Sequence, residues 1–165
     1  SFARAIAPAL GASPGGLVLR TDEIRKRLLK VAPTASLPAS VYSPGFYAEV
    51  YDTVLADARA LLATGRAVVL DATFIQPDLR QRVEALAAEA GVPFHAVWLE
   101  APVEVLASRI EHRTGDASDA TVATLKMQLE RDVGEIAWTR IDATRPVAET
   151  AGAWLSAIRK PEPAA

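Results

Sequence analysis

The feature that most constrains the fold is an alternation of short apolar runs with longer amphipathic stretches. Four short runs rich in aliphatic or aromatic side chains occur at residues 17–20, 67–71, 94–99 and 137–141. Apolar residues recur at helical spacing in the stretches that follow or separate them, at residues 23–30, 46–63, 77–90, 102–112, 119–133 and 146–158. Strands that alternate with helices of this length are typical of a parallel sheet covered by helices. The sequence therefore predicts an α/β fold.

Length and composition favour a single domain. A chain of 165 residues is long enough for one hydrophobic core and too short for two ordinary ones. Half of the residues are hydrophobic and only 6% are aromatic, which suits helices packed on a sheet. We expect one domain over residues 1–160, which begins with an amphipathic helix at Phe2, and a Pro-rich tail at 161–165.

Several classes of protein are disfavoured by composition. The absence of cysteine removes disulfides and thiolate chemistry, and two histidines far apart offer no metal-ligand spacing. No apolar run reaches the length of a membrane span, and no signal peptide is visible. A net charge of -2 argues against broad binding to nucleic acid, although 14 of the 18 basic residues are arginine, the better ligand for phosphate. We expect a cytoplasmic protein with no membrane partner, and the composition disfavours nucleic acid as a partner.

Two acidic residues follow predicted strands at the edge where an open parallel sheet binds its ligands. Asp22 comes just after the first strand, and Asp71 ends the second. Ligand crevices of such sheets lie beyond the carboxyl ends of the strands. Asp22 is therefore either a residue of the site or the N-cap of the helix that follows it. Asp71 is harder to explain as part of a turn, because a buried carboxylate needs a hydroxyl, a cation or metal-bound water as its partner.

Two arginines lie on one face of a predicted helix that ends before Gly115. Arg109 and Arg113 are four residues apart, so their guanidinium groups are neighbours. One interpretation is a solvated face screened by nearby carboxylates, those of Glu104, Glu111 and Asp116. The other is a lid over residues 109–131, hinged near Gly115, whose arginines meet the charge of a transferring phosphoryl group.

The three tyrosines also allow two interpretations. Tyr42, Tyr47 and Tyr51 are close enough in sequence to line a substrate pocket. Tyr47 and Tyr51 are four apart, however, and that spacing is equally typical of ordinary packing along a helix.

The motifs in this order resemble a known family. Residues 17–28 read L-V-L-R-T-D-E-I-R-K-R-L, residues 65–74 read G-R-A-V-V-L-D-A-T-F, and an Arg-containing helix precedes Ser118-Asp119-Ala120. Together they resemble the AAA-family P-loop kinase-like ATP-binding proteins. Within that group the chain is most similar to the ATP-binding domain at the C-terminal end of bifunctional aminoglycoside-phosphotransferase-like proteins. It also resembles zeta-toxin and polynucleotide kinase domains.

This resemblance implies a three-layer P-loop NTPase fold of the nucleotide-kinase type, with a parallel sheet of order 2-3-1-4-5. In that family a strand and a G-x-x-x-x-G-K-[ST] loop precede the helix that here begins near Phe2, and neither is in this sequence. The loop holds the phosphates of ATP through backbone N–H groups and a lysine. Ser1 would follow or end that loop and bind phosphate. ATP and Mg²⁺ are the implied cofactors, and a fused N-terminal phosphotransferase-like domain is an implied partner.

The resemblance also implies roles for individual residues. Asp22-Glu23-Ile24-Arg25 matches a D-x-x-R pattern in which the aspartate takes the proton of the acceptor hydroxyl. The roles carried over are: Asp22 as base, Arg25 as acceptor anchor, Asp71 beside the acceptor or the water shell of Mg²⁺, Thr73 next to it, and Arg109 and Arg113 as lid arginines on the phosphates. The expected function is ATP-dependent phosphoryl transfer to a hydroxyl of a small molecule. A polynucleotide 5′-hydroxyl kinase and a non-catalytic ATP-binding regulatory module remain alternatives.

Overall fold

The structure of the chain is a computed structural model that describes residues 1–38, 41–112 and 115–159. The α-helices in these ranges are α1 (Phe2–Ile6), α2 (Thr21–Leu28), α3 (Pro44–Ala63), α4 (Pro77–Ala90), α5 (Val103–Glu111), α6 (Val122–Leu129) and α7 (Val147–Ile158). The strands are β1 (Leu17–Arg20), β2 (Val68–Asp71), β3 (Val97–Glu100) and β4 (Thr139–Asp142). The predicted alternation of strands and helices is confirmed.

The strands form two parallel pairs. β1 pairs with β2 and places Arg20 opposite Asp71. β3 pairs with β4 and places Glu100 opposite Asp142. Within the described ranges no strand joins the two pairs, so the sheet order 2-3-1-4-5 stays a prediction.

One helical layer covers both pairs of strands. Ile6 of α1 packs with Ala151 and Trp154 of α7 in a buried cluster. Side chains from three strands pack against this cluster, namely Val69 of β2, Val97 of β3 and Ile141 of β4. Because one cluster contacts both sheets, the two strand pairs belong to one packed unit.

Helices also cover the other face of β2. Leu70 packs against Val50 and Val54 of α3 and Ile24 of α2. Successive side chains of a strand point to opposite faces, so Leu70 and its neighbour Val69 contact different helical layers. The helix–sheet–helix layering of the expected fold is therefore present around β2.

Several element boundaries differ from the sequence prediction, namely those of α2, α3 and α6 among the helices and of β3 and β4 among the strands. α2 begins at Thr21 rather than at residue 23, so Asp22 lies in its first turn. α6 is shorter than the predicted 119–133 and begins after Thr121, whose side chain accepts a hydrogen bond from the Thr124 N–H. Just before α6, the side chain of Asp119 binds residues of α2 and of the connection to α3.

Two further predictions concern the C-terminal tail of the chain and the lack of a membrane-spanning helix. The predicted tail at 161–165 lies outside the described residues. Across the described ranges, none of the helices combines the length and the hydropathy that a bilayer span requires.

Candidate functional site

A buried arginine joins three elements at the carboxyl ends of β1 and β2. Arg20 Nε donates to Asp71 Oδ2 at 3.1 Å, and Arg20 Nη1 lies 2.9 Å from Asp116 Oδ1 and 3.5 Å from Glu23 Oε1. The side chain of Arg20 is 9% exposed. We call Arg20, Glu23, Asp71 and Asp116 the Arg20 cluster. It lies at the edge of the sheet where the sequence predicts a ligand site.

The neighbouring carboxylates stabilise the charged form of Arg20. Burial alone would lower the pKa of Arg20, because a desolvated guanidinium is less stable when charged. The hydrogen bond with Asp116 and the negative charges of Asp71, Asp116 and Glu23 outweigh that effect and raise the pKa. Arg20 is therefore a permanent cation between three carboxylates.

Asp22 is an ion-pair partner rather than a helix cap. The N-cap position of α2 is Arg20, which makes no side-chain capping bond, so the N-cap interpretation of Asp22 is wrong. Asp22 Oδ1 instead accepts from Arg25 Nη1 at 2.6 Å. The Arg25 side chain is 8% exposed, and its guanidinium lies 4.9 Å from the ring centre of Tyr42. The predicted D-x-x-R pair is thus brought together on one face of α2.

Asp119 binds three donors that the sequence analysis did not connect. Lys26 Nζ lies 3.4 Å from its carboxylate, the Tyr42 hydroxyl donates to it at 3.1 Å, and the Leu37 N–H donates at 3.4 Å. Lys26 is almost completely buried, at 1% exposure. Tyr42 is 44% exposed, but partial desolvation of its hydroxyl raises its pKa to about 12, and the charge of Asp119 adds to this effect. The sequence analysis names Asp119 within the Ser118-Asp119-Ala120 motif, but local spacing gives no signal for partners so distant along the chain.

Thr73 lies close to a buried tyrosine. Its Oγ1 is 3.5 Å from the hydroxyl of Tyr51, whose pKa is raised mainly by burial. The rings of Tyr47 and Tyr51 are 4.8 Å apart along α3, as expected for helix packing, and Tyr51 belongs to a hydrophobic core cluster. Tyr42 alone of the three tyrosines contacts Arg25 and Asp119.

A third buried arginine, Arg80, is absent from the sequence prediction, and its hydrogen bonds within the described residues go to backbone oxygens. Arg80 Nη1 donates to the carbonyls of Phe74 and Ile75 at 2.8 and 3.0 Å. Its Nη2 donates to the carbonyls of Val133 and Glu135 at 2.5 and 3.2 Å. Phe74 has a φ of 46°, a strained left-handed conformation for an aromatic residue. Sequence offers no signal for these contacts, since they join two loops that are distant along the chain.

The lid arginines were predicted to share the phosphate site, and the structure describes one of them. Arg109 is exposed on α5, and its charge acts on Asp142 at the end of β4. The pKa of Asp142 is lowered first by hydrogen bonds from Thr144, with smaller contributions from Arg145 and Arg109. Arg113 lies outside the described residues.

An open cleft lies beyond the carboxyl ends of β3 and β4. Its volume is about 380 Å³, and it is lined by Glu100, Ala101, Pro102, Arg140 and Asp142. Arg140 forms an ion pair with Glu100. The cleft and the Arg20 cluster thus lie at the carboxyl ends of different strand pairs.

The residues present suit part of an ATP–Mg²⁺ site. Mg²⁺ on a nucleotide usually keeps several waters and uses one or two carboxylates together with phosphate oxygens. Asp71, with a side chain 32% exposed and only Oδ2 bonded to Arg20, fits such a carboxylate. In the described ranges no group of three or more metal-ligating side chains forms a protein-only metal site. The glycine-rich loop that would hold the phosphates is not part of these 165 residues.

Parallel strands between helical layers, with acidic and basic side chains at the carboxyl ends of β1 and β2, define an α/β fold with charged groups at the edge where such sheets bind ligands. The chain belongs to the AAA domain family, whose sequence profile matches residues 2–132.

The curated relatives are longer proteins. An uncharacterised protein of Mycobacterium tuberculosis and one of Mycobacterium bovis are each 32% identical to this chain over 166 residues. The match covers 96% of this chain and 32% of each relative. The chain therefore spans about a third of the length of the curated relatives it matches.

Solved structures share the fold. A gluconokinase from Sinorhizobium meliloti has a TM-score of 0.57 and 24% identity, covering 95% of this chain and 84% of its own. The tunicamycin resistance protein of Deinococcus radiodurans has a TM-score of 0.59 and 20% identity, covering 95% of this chain and 88% of its own. At these identities the likeness extends to the fold alone.

Proposed function

We propose that this domain takes part in the ATP-dependent transfer of a phosphoryl group to a hydroxyl of a small molecule. The observation that carries the proposal is the placement of Asp22 and Asp71 beyond the carboxyl ends of β1 and β2, with each carboxylate bonded to a buried arginine. Phosphoryl transfer requires little covalent work from the protein beyond positioning and charge neutralisation. Membership of the AAA domain family supports the nucleotide-dependent part of the proposal.

Asp22 is the proposed acceptor base. Its Oδ1 is bonded to Arg25, while the side chain remains 26% exposed, so Oδ2 is available to accept a proton from a substrate hydroxyl. Arg25, held between Asp22 and the ring of Tyr42, anchors the acceptor. A base held in one orientation acts only on a hydroxyl that lies within hydrogen-bond reach.

Asp71 and Thr73 are proposed to lie beside the acceptor and the magnesium ion. Asp71 would reach Mg²⁺ through water, and the ion would neutralise charge on the phosphates when it is bound. Arg20 holds the Asp71 carboxylate in its orientation through the bond to Oδ2. Thr73, exposed at the same loop, offers a hydroxyl to the acceptor.

The phosphate loop is proposed to come from a segment that precedes α1. β2 and β3 each pair on one side only among the described residues, and both pack on the α1–α7 layer. A further parallel strand between them would complete the order 2-3-1-4-5 and lead through its loop to Ser1. Ser1 caps α1 by accepting from the Arg4 N–H, and would lie next to the nucleotide phosphates.

The segment 109–131 is the proposed lid, with Arg109 directed to the phosphates on closure. Arg113 keeps the role that the family resemblance implies. The longer relatives support a protein in which this domain is joined to another, for which a phosphotransferase-like domain is the proposed partner. The acceptor class, a small molecule rather than an oligonucleotide, rests on the net charge of -2.

The test uses the full-length protein that contains this chain. ADP release is measured with ATP and Mg²⁺, alone and with a panel of small hydroxyl compounds and a 5′-hydroxyl oligonucleotide. We expect release that depends on a small acceptor and on Mg²⁺. Stimulation by the oligonucleotide alone would instead support a polynucleotide kinase. Tight ATP binding with no acceptor-dependent release would support a regulatory module.

A further inference from the structure

The loop that follows β2 is attached to both ends of one distant segment. This loop, residues 71–76, carries Asp71 and Thr73. The segment, residues 116–135, contains α6. Arg20 links Asp71 to Asp116 at the start of the segment, with distances of 3.1 and 2.9 Å. Arg80 links the far end of the loop to the far end of the segment.

In that second link, the side chain of Arg80 donates to backbone carbonyl oxygens. Its two terminal nitrogens divide their bonds between the loop, at Phe74 and Ile75, and the segment, at Val133 and Glu135. Arg80 is 5% exposed, and its guanidinium lies 5.8 Å from the Trp98 ring of β3. A buried guanidinium that lost these acceptors would leave unsatisfied donors, so the two loops are held together strongly.

We propose that Arg20 and Arg80 are positioning residues that make the loop 71–76 and the segment 116–135 move as one body. The bonds from Arg80 hold Phe74 in its strained conformation, at a φ of 46°, and thereby set the direction in which the chain leaves Thr73. Movement of α6 is then transmitted to the carboxylate of Asp71 and the hydroxyl of Thr73. The catalytic consequence rests on the proposed function, whereas the mechanical coupling does not.

The first experiment measures the coupling without any activity. Amide hydrogen exchange is followed in the full-length protein for Asp116→Ala, which cuts the first link, and for Arg80→Met, which cuts the second. Each change is expected to speed exchange about tenfold in both the loop 71–76 and the segment 116–135, since each removes bonds to a charged group. Asp57→Ala and Arg82→Met are matched controls, because each breaks an ion pair that joins α3 to α2 or to α4 and has no partner in either region.

The second experiment separates positioning from stability. Arg80→Met and Arg80→Lys are assayed for ATP turnover well below their melting temperatures. We expect kcat to fall about tenfold to a hundredfold while KM for ATP changes little, because small misplacement of reacting groups acts on the chemical step. Lysine should not rescue Arg80, since an ammonium is a point charge and four carbonyls in two loops require the planar fork.

The outcomes distinguish the inference from the proposed function. Faster exchange in only one of the two regions, the loop or the segment, in both Asp116→Ala and Arg80→Met would overturn the coupling. An unchanged kcat in a folded Arg80→Met protein that turns ATP over would overturn its catalytic consequence. If the parent protein shows no ATP turnover but exchange responds in both regions, the proposed function fails and the coupling stands.

Discussion

Arg20 Nε lies 3.1 Å from Asp71 Oδ2, across the register that pairs the last residue of β1 with the last residue of β2. This contact places a buried cation directly beside the acidic residue that ends the second strand. Because Arg20 also binds Asp116, the contact joins the sheet edge to a segment that follows α5. The chemistry and the stability of this region should therefore depend on a small number of charged side chains.

Replacing the proposed base should separate chemistry from structure. In Asp22→Asn the amide oxygen still accepts from Arg25, but the buried guanidinium loses its countercharge, so we expect a loss of about 1–2 kcal/mol in the free energy of unfolding. An amide is too weak a base to take a proton, and turnover by the full-length protein should fall about a hundredfold or more. Urea unfolding and steady-state ADP release check the two parts.

The control for that prediction is Asp57→Asn, which removes the carboxylate bound to Arg27 on the same helix. That pair is exposed, so both stability and turnover should stay near the parent values. Unchanged turnover in Asp22→Asn would exclude Asp22 as the base, and Asp71 would be tested next.

Arg20→Lys should be costly although the charge is retained. A lysine ammonium cannot reproduce the forked contacts to Asp71, Glu23 and Asp116, and the carboxylates would lose part of their neutralisation. The carboxylates of Asp71 and Asp116 are about one-third exposed, so water compensates in part, and we expect a loss of about 1–3 kcal/mol. Chemical denaturation measures the change. Arg27→Lys, at an exposed pair, should cost less than about 1 kcal/mol, and equal losses in both variants would contradict the prediction.

The Tyr42 hydroxyl should lose its proton at a higher pH than a free tyrosine does. Its pKa is about 12 in the folded protein against 10.0 for the free side chain, with burial as the first cause and Asp119 as the second. The folded state then holds the proton more tightly than the unfolded state. The contribution of Tyr42 to stability is complete below pH 10 and is lost as the pH rises through about 12.

Phenolate absorbance of the parent protein minus that of Tyr42→Phe isolates this titration. The difference should show one ionisation with a midpoint of about 12. Asp119→Asn should lower the midpoint, because a negative neighbour is removed. A midpoint near 10 in the parent would contradict both the desolvation of the Tyr42 hydroxyl and its contact with Asp119.

Gly134→Ala should disturb the chain where Arg80 holds it. Gly134 has a φ of +63°, and an added Cβ would lie 3.3 Å from Pro77 Cγ and 3.9 Å from Arg80 Nη2. The left-handed conformation alone costs a residue with a side chain about 1–2 kcal/mol. We therefore expect thermal unfolding at a lower temperature.

Gly152→Ala is the matched control for Gly134→Ala. Gly152 lies inside α7 with open space around the position of a Cβ, so alanine should stabilise the helix by about 0.5–1 kcal/mol. A stabilised Gly134→Ala protein would mean that the turn between α6 and β4 differs from the one described.

Sequence alone determined the strands, most of the helices and the edge at which acidic residues gather. These follow from local periodicity and from residues, such as glycine, that end helices and strands. One example is Gly91, with a φ of 64°, which ends α4 as its pattern predicts. The D-x-x-R pattern of Asp22 and Arg25 comes from the family resemblance, and their ion pair depends on α2 beginning at Thr21, which puts both residues on the helix three positions apart.

Tertiary structure alone decided which partners the charged side chains have. Asp71 is 51 residues from Arg20, and Asp119 is 93 residues from Lys26, so each contact depends on strand register and helix packing rather than on local pattern. The same holds for Arg80, whose acceptors are backbone oxygens that carry no sequence signature. Asp22 shows the limit most clearly. A cap and an ion pair use the same carboxylate at the same position, and only the start of α2 at Thr21 distinguishes them.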